Sequence, residues 1–402
     1  MHNANLSNKL QKIANILNKY LPLISQSDLS VISGNEITHK WITQLMKLDR
    51  DDLVRFDAQK EHTLLNDPDW LQLIDDIEKL FYFKKTNLNE MKVKTFGNVK
   101  KQHELKQLYS FMSEDVGKSV TDFGGGVGNL AYFLEGQLEM KVNVLEKDMA
   151  LIEKGKKKLS KLNSQVTFNQ CHVCSSAKVP NIANGEVAIG LHTCGNFATD
   201  MFRTCIENKT QKIINFGCCY SKIKNHDYNL SGYSDKSIIL NERALASATQ
   251  SFNKVPCEFY DYRERIMEFK LSFHHWLFAE YSHLGFCSMS NARTSLYKNT
   301  FSGYVEICLK KFFPEFPTQE QSRIEHFYKS ERNTFLNKYF AAFYALRRYL
   351  GKLVEIYILC DRALFLEENG YYVEIIEVFN PSISPRCHAI VGMRNEDFNK
   401  DL

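Results

Sequence analysis

The sequence predicts an α/β protein built around a mostly parallel β-sheet, with helical regions before and within it. Short apolar segments alternate with amphipathic helical segments between about residues 118 and 220, which is typical of a parallel sheet with helices on both faces. The residues before this region, and an aromatic-rich segment after it, have apolar residues at helical spacing. Strand and helix patterns then resume near the end of the chain.

The predicted sheet elements are short and closely spaced. Strands are predicted at 118–124, 141–148, 165–173, 186–195 and 211–220, with helices between them at 129–138, 149–162 and 196–208. A long helix at 340–370 precedes two further strands at 371–380 and 387–394. Gly370 closes that helix, because glycine adopts the left-handed conformation at no steric cost.

These patterns divide the chain into four predicted regions. In order, they are a helical N-terminal cap (1–95), the first part of the sheet domain (96–222), a helical insertion that could recognise a substrate (223–335) and the final helix and strands of the sheet domain (336–402).

The composition excludes several classes of protein. At 402 residues and 44% hydrophobic content, the chain can bury a large core. No apolar run is long enough to cross a bilayer, so no membrane partner is predicted. The N-terminus lacks a secretory signal pattern, and the eleven cysteines are expected to remain thiols in a reducing compartment, the cytoplasm or nucleus. A net charge of +4 neither requires nor excludes a nucleic-acid partner.

A glycine-rich loop follows the first predicted strand and precedes a helix. It contains Asp122, Gly124, Gly126 and Gly128 at alternate positions. Glycines let the backbone approach a ligand closely, and the next helix directs its free N–H groups towards that ligand. The spacing differs from the Gly-x-Gly-x-x-Gly of dinucleotide-binding loops. Because Asp122 can receive an ammonium group, the loop predicts S-adenosylmethionine, which has an amino-acid moiety and no phosphate.

Two further residues complete the predicted cofactor site. Glu146 ends the second strand, where a carboxylate can accept hydrogen bonds from both ribose hydroxyls. His172 follows the third strand, and the backbone there is predicted to lie beside the adenine.

The fourth and fifth strands end in GLHTCG and NFGCCY. Ligands of open α/β sheets bind beyond the carboxyl ends of the strands, so His192, Cys194, Cys218 and Tyr220 are predicted to converge on an acceptor pocket. His192 has the pKa range of a general base, and Tyr220 can stack on a flipped base. Since neighbours on a strand point to opposite faces, one of Cys218 and Cys219 is expected to pack and the other to face the pocket.

Other roles for these cysteines stay open. One could be a covalent nucleophile, although the sequence shows nothing that would lower a thiol pKa. His192, Cys194, Cys218 and Cys219 are conceivable zinc ligands, but no Cys-x-x-Cys pair lies at these strands, and no metal is predicted. Tight packing of small polarizable residues is the third role.

Several separated segments carry a resemblance to a known family: VKKQHEL, GLHTCGNFATD, NFGCCYSKI and the tail LCDRALFLEENG with VFNPSISPRCHAIVG. In this order they resemble the methyltransferase-like protein 25 family, some of whose members are described as ribosomal RNA adenine dimethylase domain-containing. The resemblance implies a Rossmann-like class I methyltransferase sheet of seven strands, the last antiparallel, with the helical insertion between strands five and six. It extends more weakly to transfer-RNA 2′-O-methyltransferases.

The leading hypothesis is an S-adenosylmethionine-dependent methyltransferase acting on RNA. The lysines at 154–161 and the lysine-rich stretch at 84–101 favour a polyanionic substrate, with the stretch as a phosphate-facing rim. The stretch is equally typical of a solvated linker and helix start. A protein substrate is the first alternative, because the insertion could equally dock a peptide. A catalytically silent binding or scaffold protein is the second, because the Asn-Pro-Pro-Tyr-type tetrapeptide of amino-group methyltransferases is missing after strand four.

Overall fold

The structure of the chain is a computed structural model. It describes residues 2–86, 93–113, 119–174, 187–250, 257–281, 294–315 and 319–395. Within these segments, no helix combines the length and the apolar character needed to span a bilayer.

The helices are numbered here in chain order. They are α1 (His2–Ser25), α2 (Asp28–Ile32), α3 (Lys40–Leu45), α4 (Arg50–Ala58), α5 (Pro68–Leu80), α6 (Val99–Met112), α7 (Asn129–Leu138), α8 (Met149–Ser160), α9 (Phe197–Glu207), α10 (Glu242–Gln250), α11 (Cys257–Glu280), α12 (Phe301–Phe312), α13 (Gln321–Tyr328) and α14 (Glu331–Glu368). Two helices beside the sheet begin at side-chain caps, since Asn98 accepts from Lys101 N and Asp148 accepts from Ala150 N, both at 2.9 Å.

Among the residues described, eight strands form one sheet. They are β1 (Lys84–Lys85), β2 (Ser119–Phe123), β3 (Lys141–Glu146), β4 (Thr167–Gln170), β5 (Val187–Cys194), β6 (Lys212–Cys218), β7 (Tyr371–Glu377) and β8 (His388–Arg394). The order is β1-β7-β8-β6-β5-β2-β3-β4, and β8 alone runs antiparallel to its neighbours. Strands β2 to β8 confirm the predicted Rossmann-like class I methyltransferase sheet, and α10 to α13 follow its fifth strand as the predicted helical insertion.

The two-residue strand β1 was not predicted and raises the number of strands from seven to eight. It pairs in parallel with β7 at the sheet edge. Lys84 Nζ lies 3.3 Å from Glu374 and Lys85 Nζ lies 3.2 Å from Glu377. These two lysines therefore hold an edge strand, and only the later part of the basic stretch is left as a possible substrate-facing rim.

The carboxyl ends of β2, β5 and β6 meet at one edge of the sheet. Strands β5 and β6 are apolar along most of their length, because neighbouring strands and helices cover both faces. Their register pairs Cys194 with Cys218 as the last partners. The sheet thus brings the two cysteine-containing segments to the same point, as the sequence predicted.

The chain divides into two compact units. The sheet unit comprises Met1–Leu21, Ile77–Asn253 and Gly351–Leu402, and the helical unit comprises Pro22–Asp76 and Lys254–Leu350. Residues 223–253, which the sequence assigned to the insertion, fall in the sheet unit. The division into four regions stays a prediction.

Aromatic side chains form the core of the helical unit. Phe269, Phe273, Trp276 and Tyr304 are buried together, and the stacked rings of Phe301 and Tyr328 have centroids 4.5 Å apart. The aromatic residues of the insertion are thus largely used in core packing.

Phe168 on β4 fills a notch made by two glycines beside the glycine-rich loop. A Cβ atom on Gly128 would lie 2.7 Å from the tip of this ring, and one on Gly155 of α8 would lie 2.8 Å from it. The Cβ on Gly155 would also lie 3.1 Å from the carbonyl oxygen of Val127. The notch lets β4, α8 and the loop pack closely, which fixes the loop in place.

We therefore expect Gly155→Ala to lower the free energy of unfolding by about 1–3 kcal/mol, because the added methyl group overpacks the notch. Urea denaturation measures the loss, and Phe168→Leu in the same chain should recover much of it. Gly136→Ala on the exposed face of α7 is the matched control, since its Cβ would meet nothing within 4 Å. That control should stabilise the protein by up to about 1 kcal/mol. Equal changes in the free energy of unfolding for Gly155→Ala and Gly136→Ala would contradict the close packing of Phe168 in this notch.

Candidate active site at the carboxyl edge of the sheet

The glycine-rich loop places open backbone next to the end of β2. Gly124, Gly126 and Gly128 have φ angles of +70°, +59° and +73°, which glycine adopts without strain. A Cβ on Gly126 would meet nothing within 4 Å, whereas one on Gly124 would lie 2.8 Å from the Phe197 ring. Gly126 thus leaves its backbone open to a ligand, whereas Gly124 and Gly128 are needed for close packing.

Asp122 presents a buried carboxylate oxygen at the foot of this loop. The side chain is 2% exposed, and its Oδ2 has no hydrogen-bond partner among the described residues. Burial raises the pKa of Asp122 to about 7, and Glu146 adds to the rise while Lys101 opposes it. Buried polar atoms are normally paired, so the orphaned oxygen fits the ammonium group of S-adenosylmethionine.

Glu146 connects the end of β3 to the glycine-rich loop. Its Oε2 accepts a hydrogen bond from Gly126 N at 3.0 Å, and its Oε1 accepts from Lys147 N and Asp148 N at 2.9 and 3.0 Å. Two carboxylate oxygens have about four acceptor positions, and three are used, so about one position, on Oε2, is left for a ribose hydroxyl. The backbone bonds orient the carboxylate towards the open side of the loop.

His172 lies two residues beyond the end of β4. Cys171 N donates to Glu146 O at 2.9 Å and holds this segment beside the carboxyl end of β3. The His172 side chain is exposed. Its proposed place beside the adenine agrees with this position but stays a prediction.

His192 lies at an irregularity in β5 and contacts a residue that the sequence did not single out. The register with β6 shifts between Leu191 and Thr193, and His192 has a φ of +64°. Such bulges re-aim side chains. His192 Nε2 lies 2.9 Å from Oε1 of Glu104 on α6, and its side chain is 30% exposed. The imidazole is therefore held at one nitrogen and accessible.

Glu104 is a buried carboxylate that three side chains surround. Besides His192, Ser384 Oγ donates to its Oε1 at 2.7 Å and Lys100 Nζ lies 3.4 Å away. Burial acts to raise the pKa of Glu104, but the hydrogen bond from His192 and the nearby positive charges outweigh it and hold the pKa at about 2. The carboxylate is therefore ionised at neutral pH and can stabilise a protonated His192.

The role of Glu104 was missed because a single carboxylate in a lysine-rich segment looks like a solvated helix start. The one available signal was its place in VKKQHEL, a segment that carried the family resemblance. Likewise the segment PSISPR (381–386), which joins β7 and β8, supplies Ser384 to this site.

Three thiols meet where β5 and β6 end. The Sγ atoms of Cys194 and Cys218 are 3.0 Å apart, and those of Cys218 and Cys219 are 3.7 Å apart. The expectation that Cys218 and Cys219 point to opposite faces is wrong. The strand ends at Cys218, and Cys219 has a left-handed backbone (φ +46°) that turns its thiol back towards its neighbour.

The thiols differ in their tendency to ionise. The hydrogen bond from Cys218 lowers the pKa of Cys194 to about 6, with Lys222 and His192 favouring the thiolate as well. The same contact raises the pKa of Cys218. The contact therefore favours the thiolate at Cys194 and the protonated thiol at Cys218.

Tyr220 does not line the accessible edge, which corrects its predicted role in stacking on a base. It is 1% exposed, and the guanidinium groups of Arg362 and Arg386 lie 5.8 and 5.7 Å from its ring centroid. Its hydroxyl is 3.5 Å from Glu355. The turn at Cys219 sends the next side chain into the interior, so Tyr220 anchors the loop.

The chain is similar to known proteins over the range that contains this site. Residues 100–226 match a family model described as a methyltransferase domain. Probable methyltransferase-like protein 25 of Mus musculus is 24% identical over 235 residues, which cover 52% of this chain and 37% of the mouse protein. The protein of the same name from Homo sapiens is 23% identical over 231 residues, with coverages of 52% and 37%. The chain thus spans little more than a third of these relatives.

Solved methyltransferases also align. The 23S rRNA methyltransferase ErmE aligns with a TM-score of 0.24 at 17% identity. The alignment covers 31% of this chain and 49% of the ErmE chain. Coclaurine N-methyltransferase, bound to N-methylheliamine and SAH, has a TM-score of 0.27 at 12% identity, with coverages of 86% and 95%.

The family match covers the glycine-rich loop, Asp122, Glu146 and both cysteine-containing strand ends. Residues 100–226 therefore match a methyltransferase domain, and about half of the chain is distantly similar to the methyltransferase-like protein 25 proteins.

Proposed function

We propose that the protein transfers the methyl group of S-adenosylmethionine to a hydroxyl group of RNA. The observation that carries the activity is the juxtaposition, at one sheet edge, of an orphaned Asp122 oxygen and a His192–Glu104 pair. The first fits the cofactor, and the second fits an acceptor that must lose a proton.

The cofactor supplies an electrophilic methyl group on a sulfonium. Asp122 would pair with its ammonium group and Glu146 with a ribose hydroxyl, while Gly126 lets the backbone approach. Holding two reactants in line removes much of the entropic barrier of methyl transfer. The chain's own contribution at this point is orientation and exclusion of water.

His192 is the proposed general base. Its Nε2 is committed to Glu104, so in the neutral imidazole Nδ1 is the nitrogen with the free lone pair. The acceptor proton would move to Nδ1, and the ionised Glu104 would stabilise the resulting imidazolium. A hydroxyl acceptor needs such a base, whereas an amine with an available lone pair does not.

An RNA substrate is supported by exposed lysines beside the loop. On and just after α8, the exposed lysines are Lys154, Lys156, Lys157, Lys158 and Lys161. Lys158 Nζ lies 2.5 Å from Oδ1 of Asn129, the first residue of α7, so this basic surface borders the loop. Lys94 and Lys100 are also exposed. Phosphates bind such surfaces largely by charge.

We expect Asp122→Asn to remove most of the affinity for S-adenosylmethionine, because the ammonium group loses its charged partner. In the wild type, Asp122 protonates below about pH 7, so affinity should fall about tenfold or more between pH 7.5 and 5.5. Calorimetry at several pH values measures this, and the variant should show little of the dependence.

Thr121→Val is the matched control, since Thr121 is the buried neighbour on β2 whose hydroxyl has no partner among the described groups. It should bind the cofactor like the wild type. Thermal melting provides a second readout: Asp122→Asn should melt higher than the wild type at pH 8, and the difference should shrink as the pH falls and disappear below about pH 4. Unchanged cofactor affinity in a folded Asp122→Asn protein would contradict the assignment.

We expect His192→Ala to lower the rate of methyl transfer about 10²–10⁴-fold, because the base is lost. Glu104→Gln should lower it less and shift the pH profile, and the double variant should be no slower than His192→Ala, since the two residues act as a unit. Transfer of label from S-adenosylmethionine into cell extract, with and without ribonuclease, provides the measurement.

The outcomes of this assay separate the candidate functions. Label in ribonuclease-sensitive material supports RNA, whereas label that survives ribonuclease and is removed by protease indicates a protein substrate. Cofactor binding without transfer to any fraction would indicate a silent scaffold. Wild-type rates in the His192→Ala variant would disprove its role as the base.

A further inference from the structure

The three thiols at the ends of β5 and β6 form a cluster that the methyl-transfer proposal does not use. Their Sγ atoms all lie within 4.8 Å of one another. Cys218 is buried, while Cys194 and Cys219 are partly exposed. The other described group of this kind, Glu377, Cys387 and His388, has its cysteine and histidine in the interior. With two partly exposed members instead of one, the thiol cluster is the more open of the two groups.

The spacing of the sulfur atoms suits a tetrahedral metal ion. With zinc–sulfur bonds of about 2.3 Å, two thiolates on one Zn²⁺ ion are about 3.8 Å apart. The pair Cys218–Cys219 is at 3.7 Å, and Cys194–Cys218, at 3.0 Å, needs to open by less than 1 Å. We propose that Cys194, Cys218 and Cys219 bind a Zn²⁺ ion whose fourth position carries an exchangeable ligand.

His192 is not part of this ligand set. The sequence suggested it as a companion of the cysteines, but its Nε2 is bonded to Glu104, and it is absent from the group of converging ligand atoms. A site with three protein ligands keeps one position for water or substrate, as in catalytic rather than structural zinc sites. The partly exposed side of the cluster leaves access for that ligand.

The charge balance of the site is favourable. Zn²⁺ binds the three cysteines as thiolates, so the thiol protons that remain at neutral pH leave to solvent, and the resulting centre has a net charge of −1. Lys222 lies close enough to act electrostatically on both Cys194 and Cys219, and its positive charge offsets that of the centre. No oxidant or reductant is needed.

The backbone is already arranged for such a site. Cys194 and Cys218 are directly paired partners on parallel strands, and a left-handed residue at Cys219 brings in the third sulfur. A non-glycine residue in that conformation is uncommon, and buried Tyr220 directly after it holds the turn. The geometry exists in the chain before a metal binds.

The test uses the full chain, purified with a reductant and without chelator. We expect about one zinc per chain by elemental analysis. After the zinc is removed, titration with Co²⁺ should produce thiolate-to-cobalt charge-transfer bands and the intense visible bands of a tetrahedral centre. In the wild-type protein, zinc should also protect these three cysteines from alkylation, as read by peptide mass mapping.

Single serine variants of the three cysteines should each weaken Co²⁺ binding more than about 100-fold, since loss of a direct ligand exceeds the effect of outer-shell changes. The control is Cys171→Ser/Cys174→Ser, which removes the Cys-x-x-Cys pair at the other side of the sheet edge and should leave the spectrum unchanged. Because zinc protection against alkylation is measured on the wild-type protein, it tests the proposal even if a serine variant does not fold.

Two results would overturn the proposal. One is a folded, reduced protein that contains no zinc, shows no cobalt bands and has all three thiols alkylated equally with and without added zinc. The other is a Cys194–Cys218 disulfide mapped in the native protein, which would make the cluster a redox pair instead of a metal site.

Discussion

The buried carboxylate of Glu104 is the contact on which the candidate active site depends. It joins α6 to His192 on β5 and to Ser384 in the loop between β7 and β8. These segments lie 88 and 280 residues from Glu104 along the chain. A buried charge is tolerated only when it is paired and hydrogen-bonded, so removing a partner affects all three segments. The same carboxylate that orients the imidazole also closes the sheet unit at this edge.

Side chains reach this edge because two strands end with departures from regular β geometry. His192 and Cys219 both have positive φ angles, which cost non-glycine residues about 1–3 kcal/mol each. In β5 the departure turns the imidazole towards Glu104, and after β6 it turns a second thiol towards Cys218. Burial of Tyr220 between two arginines stabilises the second turn. The same turn thus places Tyr220 in the interior and the thiol of Cys219 at the accessible edge.

Much of the fold and the cofactor side could be predicted from the sequence, because both depend on local patterns. Strand and helix periodicity, the glycine loop and Glu146 at the end of a strand are all readable over short windows. The acceptor side could not be predicted in the same detail. Glu104 meets His192 only through tertiary packing, and β1 is too short to leave a pattern in the sequence. The alternation of side chains between the two faces of a sheet fails where a strand ends in a left-handed residue, as at Cys219.

Asp122 shows that the site is kept at the expense of stability. Its pKa rises from 3.8 to about 7 on folding, so the folded state favours the protonated form. A carboxyl group shifted in this direction destabilises the fold progressively as pH rises from about 4 to 7, by up to about 4 kcal/mol. A neutral residue of the same size would avoid that cost but could not pair with an ammonium group. The unpaired Oδ2 of this buried carboxyl group, on an interior strand of the sheet, therefore supports the proposal that Asp122 receives an ammonium group.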